Sequence, residues 1–150
     1  MTSRLNALVV VTTLMTLGHH VDHVIRGNHI GWPFAQALTP FTLSLAVYPA
    51  VIAGFYLTRR GQAGPLYWAV LWGAMTLLAA SVHLPLSEQS ETMSHIINPY
   101  PSPIVGWIAF LWLTGLVVVA LLTCVTAARV WSQQRREISM SRSSVRSDLT

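Results

Sequence analysis

The fold is decided by residues 5–29, which read LNALVVVTTLMTLGHHVDHVIRGNH. A long, mostly apolar run opens this stretch, and four of the six histidines of the chain close it. The apolar part is long enough to cross a hydrocarbon core of about 30 Å, which takes roughly 20 helical residues. The sequence therefore predicts a first transmembrane helix that carries its histidines towards one face of the bilayer.

Composition supports this interpretation along the rest of the chain. Of its 150 residues, 53% are hydrophobic and only 9% are charged, which is too apolar for a water-facing surface. Four stretches are apolar enough to span a membrane, at about residues 5–25, 40–58, 66–86 and 104–130. We predict an all-α polytopic membrane protein, with a four-helix transmembrane domain over residues 1–131 and a disordered Ser/Arg-rich tail over residues 132–150.

Orientation is predicted from the basic residues, which are nine arginines and no lysine. Arg4, the Arg59-Arg60 pair and the arginines of the tail all fall on one side of the predicted spans, while Arg26 falls on the other. Positive charge in short loops stays cytoplasmic, so both termini are predicted to be cytoplasmic. We expect a bacterial inner-membrane protein that contacts lipids, with a possible second copy or another membrane protein as partner and no nucleic acid.

The histidines gather at the outer side in this topology. His19 and His23 stand at i and i+4, and with Thr12 and Thr16 they fall within an arc of about 60° on a helical wheel at 100° per residue. His83 comes late in the third span at a similar depth, and His20 is rotated about 100° from His19 towards another neighbour.

This arrangement has the residue types of a metal site. Two imidazoles at i and i+4 can chelate one ion, Asp22 adds a carboxylate, and His83 adds a third imidazole. The predicted ligands are His19, Asp22, His23 and His83, with His20, His29 and His95 as secondary candidates, and zinc or iron as the ion. In the alternative interpretation, Asp22 forms an i,i+4 ion pair with Arg26 at the membrane interface.

The sequence leaves several functions open. The leading hypothesis is a metal-dependent membrane enzyme that acts on a lipid-like or small apolar substrate. A haem held between His19 or His20 and His83, a proton-coupled transporter of small molecules or ions, and an accessory subunit of a membrane complex are the alternatives.

Overall fold

A computed structural model of the chain describes residues 1–27, 39–84 and 91–147. The described residues are helical, with no strand among them. In chain order the helices are α1 (Ser3–Arg26), α2 (Pro40–Ser44), α3 (Val47–Arg59), α4 (Pro65–His83), α5 (Met93–Ile97) and α6 (Pro103–Ser147). Four segments are long and apolar enough to cross a membrane: α1, α2 together with α3, α4, and the part of α6 up to Ser141.

Local sequence explains where these helices begin and end. Gly27 ends α1 in the left-handed conformation, with φ of 63°, which glycine adopts without steric cost. Thr39 caps α2 with its side chain and Pro40 occupies the first turn, where a missing N–H costs nothing. The second span breaks between Ser44 and Val47, as expected from Pro49, which cannot donate to the carbonyl one turn earlier.

One stripe of α1 is buried and the opposite face is exposed. The stripe repeats at intervals of three and four residues, as in a helix that packs along one side. Its members are Leu5, Val9, Thr12, Thr16, His19 and His23. Beyond Asn6 the exposed side chains of α1 are aliphatic, among them Leu14, Leu17 and Val24, and they suit contact with lipid.

Helix α6 is the centre of the bundle, since it packs against α1, α4 and α5. Close approach is visible at Gly73 of α4, where a Cβ would lie 3.3 Å from Sγ of Cys124. Thr12 and Thr123 form a buried hydrogen bond of 2.8 Å between α1 and α6. Small residues and hydroxyl pairs of this kind hold helices together where lipid is the solvent.

Helix α6 continues to Ser147, through most of the segment predicted to be a Ser/Arg-rich tail. Residues 116–147 contain no glycine or proline, so no residue there favours a helix end. Residues 133–141 are nevertheless exposed throughout. This extension therefore has no buried face in that segment, unlike the apolar part of the same helix.

Candidate metal centre

The centre lies where the C-terminal turns of α1 and α4 meet, which we call the histidine end of the bundle. His19 and His23 come from α1 and His83 is the last residue of α4. One ligand atom from each of the three lies within 4.8 Å of the others. The predicted convergence of His83 with the α1 pair is therefore present in the structure.

The separation of the α1 pair suits a shared ion. Nε2 of His19 and Nε2 of His23 are 3.1 Å apart. Two nitrogens bound to one zinc ion stand roughly 3.0–3.4 Å apart, given zinc–nitrogen bonds of about 2.0–2.1 Å. The two ligand atoms of the cluster that are farthest apart lie within 4.8 Å of each other. They would need to approach by about 1.5 Å to reach the separation of two nitrogens bound to one zinc ion. The three imidazoles are thus close enough to hold one metal ion.

Asp22 is not brought together with these histidines. Its carboxylate accepts a hydrogen bond of 2.8 Å from Nε of Arg26 and another from the hydroxyl of Tyr100. Burial, followed by that hydrogen bond, raises the pKa of Tyr100 to about 12. The structure thus has the i,i+4 ion pair of the alternative interpretation, and Asp22 stands outside the cluster of three.

Glu91 is the carboxylate that lies beside the histidines. Only 1% of its side chain is exposed, and Oε2 lies 2.9 Å from Nδ1 of His83 and 3.9 Å from Nε2 of His23. Its other oxygen accepts a hydrogen bond from Arg26. Burial by itself raises the pKa of Glu91, but the close contacts with His83 and Arg26 outweigh burial and lower that pKa to about 2.

No sequence pattern pointed to this role for Glu91, which falls in a connection without apolar periodicity. In the structure Glu91 lies against α4, where its backbone N–H donates to the carbonyl of Val82 at 2.8 Å. A capping box begun by Thr92 then starts α5. Thr92 with His95 three residues later is a variant of the Ser/Thr-x-x-Glu/Gln pattern that begins helices. This pattern indicates a helix start directly after Glu91, but it does not indicate a role for the carboxylate.

The secondary histidines have different positions. His20 bonds through Nδ1 to the hydroxyl of Tyr48 at 2.6 Å and through Nε2 to Oγ of Ser44 at 2.7 Å. These two hydrogen bonds therefore connect α1 to both sides of the break in the second span. His95 belongs to the capping box of α5, and His29 lies outside the described residues.

A cavity of about 70 Å³ adjoins the centre. All three clustered histidines line it, together with His20 and mostly apolar side chains from α4 and α6. The remaining coordination positions of an ion bound by three histidines would therefore have room beside them.

Comparisons with known proteins identify no relative. The chain matches no protein-family model, no curated protein and no solved structure.

Proposed function

We propose that the chain is a membrane metalloprotein in which His19, His23 and His83 bind one divalent first-row transition metal ion, and that it acts as a metal-dependent enzyme on an apolar substrate. Three protein ligands with an open position are typical of catalytic zinc sites. Zinc and iron both accept imidazole ligands. Asp22 is left out of the proposed ligand set, because its oxygens are engaged by Arg26 and Tyr100.

The observation that carries the proposal is the pairing of Glu91 with His83. Metal-binding histidines commonly donate their second ring N–H to a carboxylate, which fixes the tautomer and makes the ring a better ligand. With Nδ1 of His83 facing Glu91 at 2.9 Å, the nitrogen left with a free lone pair is Nε2. The carboxylate of Glu91 is 1% exposed and is paired with Arg26 as well as with His83, as a buried charge requires.

The charge at the histidine end also favours a cation. Asp22, Glu91 and Arg26 form one buried network with a net charge of 1 − 2 = −1 when both carboxylates are ionised. The sequence has no other arginine or lysine in residues 27–58 or 61–128. A metal ion held by neutral imidazoles would bring compensating positive charge beside this network.

A single ion suits the geometry better than haem. Haem held by two histidines lies between their rings, whereas the rings of His19 and His83 have centroids 5.3 Å apart and an interplanar angle of 71°. A cavity of about 70 Å³ is also far below the roughly 300–1,000 Å³ of pockets that hold drug-sized ligands.

The test is a metal titration of the purified full-length protein with zinc, ferrous iron and copper, followed by elemental analysis. We expect one ion per chain in the wild type and loss of most of it in His19→Ala, His23→Ala and His83→Ala, because a chelate weakens steeply when one ligand goes. His95→Ala is the matched control, since His95 lies in the α5 cap. No bound metal in the wild type, or equal loss in the control, would refute the proposal.

A further inference from the structure

Helix α2 forms one wall of the cavity beside the metal centre. Pro40, Phe41 and Ser44 line the cavity, and the helix packs against α4. None of the five described residues of α2 is buried, whereas the walls on α1, α4 and α6 all include buried residues. Leu43 of α2 is 39% exposed and suits contact with lipid. Because it makes few buried contacts, α2 is the wall that is easiest to displace.

A break in the backbone follows α2 directly. Leu45 and Ala46 separate α2 from α3, and both residues are exposed. Pro49 has no N–H for the carbonyl of Leu45, which accepts instead from the N–H of Tyr48 at 3.2 Å. The capping box at the start of α2 holds its first turn together. The chain can therefore bend at two exposed residues while α2 moves as a unit.

His20 of α1 is hydrogen-bonded on both sides of this break. Oγ of Ser44 donates its only hydrogen to the carbonyl of Phe41 at 2.7 Å. Its contact of 2.7 Å with Nε2 of His20 therefore requires Nε2–H as the donor. In the neutral ring Nδ1 then carries the lone pair, and it accepts from the hydroxyl of Tyr48 at 2.6 Å. Both nitrogens of His20 are thus used to connect α1 to α2 and α3, which leaves none for a metal ion.

The ring of Phe41 brings α2 against the metal centre. Its centroid lies 5.5 Å from the ring of His23 and 5.5 Å from the ring of His20, distances at which aromatic rings attract each other. His23 is one of the proposed ligands, and its ring lines the cavity together with Phe41. A displacement of α2 would break these ring contacts and uncover the cavity beside the metal.

From these contacts we infer that α2 is a lid over the open side of the metal, hinged at Leu45 and Ala46. The hydrogen bond from His20 to Ser44 is the latch that keeps the lid closed. When the lid opens, an apolar substrate passes from the surrounding lipid to the metal without crossing water. This inference rests on the proposed function, since it gives the substrate of that site its route. His20 is a positioning residue in this arrangement and acts through α2.

The mobility of a nitroxide label at Leu43 tests the latch without any metal. The label is attached to a cysteine at this exposed position of α2, in a background free of the native cysteine. We expect Ser44→Ala to give a more mobile line shape in electron paramagnetic resonance, and Ser44→Thr, which keeps the hydroxyl, to restore the wild-type line shape. A label at the exposed Ile52 of α3 should not change, because Tyr48 still bonds to His20. No gain in mobility at Leu43, or an equal gain at both positions, would overturn the inference.

The rate of metal removal tests whether α2 covers the metal. Zinc-loaded protein is mixed with phenanthroline, a neutral aromatic chelator that enters apolar phases. We expect removal to be roughly tenfold faster from Ser44→Ala than from the wild type, the shift in open population for the loss of one hydrogen bond. The equilibrium affinity for zinc should stay unchanged, because an open lid speeds binding and release alike. Ser81→Ala is the matched control, since Ser81 is exposed and its hydroxyl bonds to Leu78 of its own helix.

The two experiments separate the lid from the metal centre. Zinc that binds normally but leaves Ser44→Ala and Ser81→Ala at the same rate would overturn the lid and leave the metal proposal standing. A lower zinc affinity in Ser44→Ala would also overturn the lid, because Ser44 would then support the ligands themselves. A wild-type protein that binds no zinc would refute the metal centre, while the label at Leu43 would still decide whether His20 and Ser44 hold α2 closed.

Discussion

Oε2 of Glu91 lies 2.9 Å from Nδ1 of His83, which links the connection after α4 to the last residue of that helix. On its other side the same carboxylate pairs with Arg26 of α1. One buried side chain therefore joins the ends of the two helices that supply the histidines. We therefore expect a change at Glu91 to affect both metal binding and the contact between the ends of α1 and α4.

The first prediction concerns Glu91→Gln. The amide oxygen still accepts a hydrogen bond, but the negative charge that favours a cation is lost. We expect metal affinity to fall about 10- to 100-fold, the usual effect of losing a partner of a metal-binding histidine. Calorimetric titration with zinc measures this. Glu137→Gln is the control, since Glu137 is exposed on α6, and an affinity for zinc that is the same in both variants would contradict the prediction.

Asp22→Asn separates the two interpretations of Asp22. If Asp22 were a ligand, its carboxylate would be needed for metal binding. In the structure its two oxygens instead accept hydrogen bonds from Arg26 and Tyr100. We therefore expect metal stoichiometry to stay at the wild-type value while the folded state loses about 1.5–3 kcal/mol, the usual worth of a hydrogen bond to a charged group, because Arg26 keeps its ion pair with Glu91. Thermal unfolding in detergent and elemental analysis measure the two effects. Loss of metal from a variant with wild-type thermal stability would restore Asp22 as a ligand.

The spans and the meeting of His83 with His19 and His23 could be predicted from the sequence, because both depend on regularities of a single helix. Apolar length gives the span, the rise per residue gives the depth, and the i,i+4 spacing gives the shared face. The break near Pro49 and the cap at Gly27 follow from residue types with fixed backbone preferences.

The carboxylate of the site could not be predicted in the same way. Asp22 is the acidic residue nearest the histidines in sequence, yet it forms an ion pair with Arg26, one helical turn later. Glu91 reaches the site through contacts that are distant in sequence, such as its backbone hydrogen bond to Val82 and its ion pair with Arg26, rather than through a local pattern. The orientation of the chain in the membrane is predicted from the arginine distribution alone. The cytoplasmic location of both termini therefore stays a prediction.

The third prediction tests the hydrogen bond between Thr12 and Thr123. Thr12→Val keeps the side-chain shape and removes the hydroxyl that meets α6 at 2.8 Å. We expect a coupling energy between Thr12→Val and Thr123→Val of about 0.6 kcal/mol, with about 1.7 kcal/mol as the upper end for such bonds in membranes. A double-mutant cycle of unfolding measures it. Thr13→Val is the control, because the Thr13 hydroxyl bonds to Val9 of its own helix; equal coupling of Thr123 to both positions would contradict the assignment.

The fourth prediction concerns sidedness, tested by single cysteines in a background that lacks Cys124. Gln62 follows the Arg59-Arg60 pair, Ser141 lies in the arginine-bearing end of α6, and Met93 begins α5 at the histidine end; all three are exposed. Because positive charge in short loops stays inside, we expect a membrane-impermeant thiol reagent added to intact cells to label position 93 and to spare positions 62 and 141. In inverted membrane vesicles the pattern should reverse. Labelling of position 141 but not position 93 in intact cells would place the metal centre and its cavity on the cytoplasmic side.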